Sequence, residues 1–156
     1  MRVSSLCVAV LVLGLTAPAF SAAARRIHAG WPSRAVIQKA EARINYQNDR
    51  TIRGKYRGRE VTFVPCDISE ISDSARRQGM ILGKLVLGGA SPDKLPAGTY
   101  TVFAWVRNNT WEAYFVQGSE PVAKSTETKS DLDNEHKPSF EKDTTTIRYW
   151  RLRVAF

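Results

Sequence analysis

The stretch "LPAGTYTVFAWVRNNTWEAYFV", residues 95–116, alternates large and small side chains on both sides of Asn108-Asn109. A two-residue period of this length, broken by two residues that tolerate positive φ, specifies a β-hairpin. A two-residue turn at Asn108-Asn109 also sets the register. Val106 then faces Trp111, Ala104 faces Ala113, and Val102 faces Phe115. Cross-strand partners share a face, and this face is apolar throughout, so it belongs to a core. The opposite face carries Phe103, Trp105, Tyr114 and Val116 with Thr101, Arg107, Thr110 and Glu112. Arg107 and Glu112 lie on a diagonal that such side chains span.

The same period recurs elsewhere. "VTFVP" at 61–65 predicts a short strand ended or edged by Pro65, and "MILGKLVLG" at 80–88 a strand buried on both faces. "SRAVIQKAEARI" predicts a helix capped by Ser33, with Val36, Ile37, Ala40 and Ile44 on one face, although Ala42, Ile44 and Tyr46 also alternate. "DISEISDSARRQG" has room for one helical turn stopped at Gly79, and "GGASPDKLPAG" is a turn cluster. Near the end, Trp150, Leu152, Val154 and Phe156 alternate with Tyr149, Arg151, Arg153 and Ala155, a half-buried strand with one cationic face. Residues 118–143 are poor in large apolar side chains and hold four Lys against seven acids. They predict an acidic, flexible excursion or a short edge strand at "PVAK". Many short strands, turn punctuation and few helical signals point to an antiparallel β-sandwich, or a barrel-like variant, with at most one or two short helices.

The first residues, "MRVSSLCVAVLVLGLTAPAFSAAA", have a basic start, an apolar run from Leu6 to Ala19, and a small-residue tail. This is the layout of a secretory signal peptide over 1–24, too short in its apolar run to span a bilayer. The expectation is an exported chain, periplasmic or secreted, with one domain over 25–156 and no transmembrane segment after cleavage. Only Cys66 then remains, which rules out an internal disulfide. The formal charge is +8. Residues 25–59 hold ten Lys and Arg against Glu41 and Asp49, so the excess lies there.

"MILGKLVLGG", "KLPAGTYTVFAW" and "TWEAYFV", within residues 80–116, resemble a widespread group of exported bacterial β-sandwich domains. In that group an apolar strand and turn lead to an LPAGTY strand opener and a hairpin whose return strand carries a tryptophan. One branch is known only as a domain of unknown function. The resemblance implies a sandwich fold and export, and it carries no catalytic residues.

Catalytic chemistry has few bearers here. The two histidines are His28 and His136, and no GxSxG, HExxH or phosphate-binding glycine pattern occurs. A thiol enzyme or redox protein using Cys66 is the alternative to a binding domain. Asp131, Asp133 and Glu135 are spaced like calcium ligands, but His136 and Lys142 stand where the loop needs Gly and Glu. No metal or cofactor is therefore expected. The sharpest local feature is "RTIRGKYRGRE": if extended, Arg53, Lys55, Arg57 and Arg59 project to one side. Such a row would track an anionic polymer, an acidic glycan, the envelope surface or another envelope protein. A second candidate is a glycan-binding aromatic patch formed by Phe103, Trp105 and Tyr114. The expectation is a small exported binding or scaffolding domain, not an enzyme.

Overall fold

The structure is a computed structural model that describes residues 28–89, 95–141 and 144–156, with residues 131–136 described by their backbone alone. The leader at 1–24 and the middle of the turn cluster at 90–94 lie outside the described residues. So do the side chains of the calcium-like run.

Among the described residues, eight strands form two antiparallel sheets. The first six are β1 (Ile52–Tyr56), β2 (Arg59–Pro65), β3 (Met80–Leu87), β4 (Gly98–Arg107), β5 (Thr110–Gln117) and β6 (Glu120–Lys124). They run as a meander in chain order, and β7 (Thr128–Glu141) with β8 (Thr146–Ala155) makes a second, two-stranded sheet. β7 approaches both β5 and β1, so the hairpin lies across one face of the larger sheet. This is a β-sandwich with unequal layers.

Three turns set the meander. Arg57-Gly58, Asn108-Asn109 and Gly118-Ser119 all have positive φ, at 49°/78°, 47°/60° and 56°/61°. They are the two-residue primed turns that match the twist of paired strands. The central hairpin has the register its alternation predicts, with Val102↔Phe115, Ala104↔Ala113 and Val106↔Trp111. Its inner face meets the second layer: Trp111 packs edge-on against Trp150 at 5.5 Å, and Phe115 against Phe156 at 6.5 Å. Phe63 and Tyr149 make a similar contact at 6.1 Å. Gly83 belongs to this packing, because a Cβ there would sit 2.4 Å from the Val64 carbonyl and 2.5 Å from the Phe63 ring.

The outer face of the large sheet is covered by two helices. α1 (Arg34–Glu41) is capped by Ser33 and buries Ile37 and Ala40. α2 (Asp73–Gln78) is capped by Ser72 and ends at Gly79. Glu41 accepts a hydrogen bond from Ser119 at 2.6 Å, and Arg34 pairs with Glu120 at 3.8 Å, which ties α1 to the β5–β6 corner.

Two expectations need correction. Residues 118–143 are not an irregular excursion: they supply β6, the edge strand expected at "PVAK", and all of β7. Their polarity reflects an edge strand and a strand with one solvent face, positions that need few large apolar residues. In β8 the alternation predicts Tyr149 on the cationic face, yet Tyr149 and Trp150 are both buried. Trp150 has φ 55°, and the β7–β8 register slips on both sides of its pairing with Glu135. That irregularity shifts the phase, so Ile147 and Tyr149 before it and Leu152 and Val154 after it all enter the core.

Candidate functional site

The cationic row does not survive folding. Arg53 and Lys55 are exposed on β1, Arg57 sits in the turn, and Arg59 begins β2 opposite Tyr56. Arg59 therefore shares the inward face with Tyr56 and is only 6% exposed. Its guanidinium donates to the carbonyls of Gly88 at 3.0 Å and Leu95 at 2.7 Å, fastening the end of β3 to the start of β4. It is a structural cation. The signal for this was present in the sequence, since an X-Gly dipeptide between alternating residues marks a hairpin turn.

The aromatic patch also changes character. Phe103 and Tyr114 are 0% and 1% exposed, lying beneath the helices and the entry segment. Trp31 packs on Tyr114 edge-on at 5.3 Å, and His28 lies against Trp31 at 4.5 Å. Only Trp105 keeps part of its surface open. The diagonal Arg107–Glu112 pair does not form. Glu112 accepts from Tyr114 Oη at 2.7 Å and from Lys124 Nζ at 2.9 Å. Burial opposes ionisation of Glu112, but these two donors outweigh it and hold its carboxyl below the usual range. Arg107 instead donates to the Gly30 carbonyl, and its guanidinium lies over the Trp105 ring, 5.2 Å from the centroid.

Trp105 and Arg107 form the floor of a cleft of about 560 Å³ between α1, α2 and β4. α1 lends it Val36, Lys39 and Ala40, at the spacing that brings side chains together along a helix, and the turn that follows α1 adds Arg43. α2 lends Ser74, Arg77 and Gln78. Arg77 is oriented by a hydrogen bond to Asn109 Oδ1 at 3.2 Å, on the tip of the β4–β5 hairpin. Lys39, Arg43, Arg77 and Arg107 thus line one concavity, and no carboxylate among the described residues lines it. Among the described residues, none of these four cations makes an ion pair. A concave site with one sign of charge and low-dielectric walls concentrates oppositely charged solutes. Sequence reasoning missed this site. The Lys39/Arg43 pair is legible as a helical i, i+4 spacing, but nothing local says that α2 folds back across β4.

Cys66 is buried, and burial is the main cause pushing its thiol up from 9.0 to about 12. A thiol that stays protonated at neutral pH is a poor nucleophile. Among the described residues no group of three or more His, Cys, Asp or Glu is placed to hold a metal, and no helix is long and apolar enough to cross a membrane.

No family model, curated protein or solved structure matches the chain. The chemistry of the cleft stands on its own geometry.

Proposed function

We propose that this chain is an exported, non-catalytic binding domain whose ligand is anionic and sits in the cleft between α1, α2 and β4. The observation that carries the proposal is the convergence of Lys39, Arg43, Arg77 and Arg107, from α1 and the turn after it, α2 and β4, around one concavity that no carboxylate among the described residues lines. Like charges brought together cost Coulomb energy, and an anionic ligand removes that cost. The volume of about 560 Å³ suits a small molecule or a short segment of a polymer. Trp105 adds an apolar ring surface beside the charges, useful for the carbon face of a sugar or a base. Export is supported by the three-part pattern of residues 1–24. A binding role is supported further by the protonated state of Cys66, which removes the nucleophile the alternative thiol chemistry needs.

The test is titration with a hexasaccharide of alternating glucuronate and N-acetylglucosamine at low and physiological salt. Replacing Lys39 and Arg77 together by Gln should weaken binding about tenfold or more, from the loss of two charged contacts, and flatten the salt dependence. Replacing Arg53 and Lys55 by Gln should leave affinity within about twofold, since these exposed charges act only at screened distances. Equal losses in the two double variants would move the site to the outer strand and overturn the assignment.

A further inference from the structure

Arg43 does not belong to the cationic cleft alone. It also lines a second groove of about 490 Å³, on the other side of α2, with Asn45, Asp67, Glu70, Ile71, Ser72 and Ala75. The two concavities therefore meet at one guanidinium and flank the same helix. Their chemistry differs sharply. The first has four cations and a tryptophan, and the second has two carboxylates, an amide and a hydroxyl around the shared arginine.

The second groove is held in place by backbone pairing. The Asp67 N–H donates to the Asn45 carbonyl at 2.8 Å, next to the bridge that joins Tyr46 to Cys66. Asp67 Oδ1 accepts from the Ser69 hydroxyl at 2.6 Å and from its N–H at 3.0 Å. Arg76 donates to the carbonyls of Ile68 and Ser69, fixing the approach to α2. These contacts set the position of Asp67 before any ligand arrives.

We infer that the two concavities form one extended site for an acidic oligosaccharide in which charged sugars alternate with uncharged or amino sugars. This rests on the anionic-ligand assignment of the first cleft. A charged unit sits among Lys39, Arg43, Arg77 and Arg107 with its ring beside Trp105. The next unit passes Arg43 and offers hydroxyl or amide donors to Asp67, Glu70 and Asn45. Carboxylates are strong acceptors for such donors. A polyanion charged at every unit, such as single-stranded nucleic acid or a polyuronate, brings an anion against Asp67 and Glu70 and is repelled there. The acids thus act as a filter on the pattern of charge along the chain.

The experiment compares three probes at one salt concentration: a hexasaccharide of alternating glucuronate and N-acetylglucosamine, a hexamer of galacturonate, and an eight-nucleotide thymidylate strand. The alternating oligosaccharide should bind the wild type about tenfold or more tighter than either fully charged probe, the scale of one misplaced charged contact. The double substitution Asp67→Asn, Glu70→Gln keeps the acceptor that Ser69 uses and should tighten the fully charged probes, closing most of that gap. Thermal melting checks that both variants fold. If the nucleotide strand or polyuronate binds the wild type as tightly as the alternating probe, the inference is overturned. The anionic cleft then still stands if Lys39→Gln, Arg77→Gln abolishes that binding. If no probe binds, or if binding ignores the Lys39 and Arg77 substitutions, both readings fall.

Discussion

Arg59 shows how far a residue's role can depart from its type. Its charge and spacing place it with Arg53, Lys55 and Arg57, yet the Arg57-Gly58 turn carries it to the inner face. There it bonds two carbonyls that end one strand and begin another. Removing a buried donor leaves acceptors unsatisfied, at about 1–3 kcal/mol. Arg59→Gln should therefore destabilise the fold by about that amount in urea unfolding, whereas Arg53→Gln or Lys55→Gln should stay within about 0.5 kcal/mol. Equal small effects would show that the guanidinium bonds are worth little. Trp150 is a second residue used against its usual conformation. Its positive φ is strained for a bulky side chain, and packing against Trp111 with guanidiniums of Arg76 and Arg151 5.4 and 5.5 Å from its ring holds it there.

At the scale of elements, the turns carry the topology. The β4–β5 hairpin keeps its register because both turn residues adopt positive φ, 47° at Asn108 and 60° at Asn109. Asn tolerates that region and Ala does not, the left-handed conformation costing about 1–2 kcal/mol per ordinary residue. Replacing both by Ala should lower stability by about 2–4 kcal/mol in all, and Asn109→Gly should hold or raise it. The tip also orients Arg77 through Asn109, so the Asn109→Gly variant should bind the alternating hexasaccharide more weakly despite its sound fold. Unchanged stability in the Ala pair would mean that the strands alone set the register. α1 was legible for the same kind of reason: the Ser33 cap and the spacing of Ile37 and Ala40 act within one turn or two. α2 was legible only as a turn, because six residues give too little periodicity to read.

At the scale of the molecule, the two sheets are linked by a buried polar contact as well as by apolar packing. Tyr149 of β8 donates its hydroxyl to the Cys66 carbonyl, at the end of β2, at 2.6 Å. Burial is the leading cause raising Tyr149 from 10.0 to about 12, as it raises Cys66 from 9.0 to about 12. Both groups are neutral when protonated, and the unfolded chain loses these protons first. Their contribution is thus complete below about pH 9 and is lost as pH climbs toward about 12. Melting temperature should fall over that range, and the fall should be shallower in Cys66→Ala and in Tyr149→Phe. A slope unchanged in both variants would place the alkaline transition elsewhere.

The sequence by itself determined what short-range periodicity can encode. The central hairpin with its Asn108-Asn109 register, the Ser33-capped helix and the apolar strand at Met80–Leu87 all follow from side-chain spacing within a few residues. The β-sandwich class follows from many such strands separated by turns. Tertiary structure alone decided which faces remain open. It buried Phe103 and Tyr114, turned Arg59 inward, and carried a weakly apolar segment into β7. It also gathered Lys39, Arg43, Arg77 and Arg107, residues spread over 69 positions of the chain (107 − 39 + 1), around one cleft. Spacing along a strand fixes the side of the sheet a residue points to. Whether that side meets solvent, a helix or a second sheet depends on contacts between segments far apart in sequence, and no local pattern carries that information.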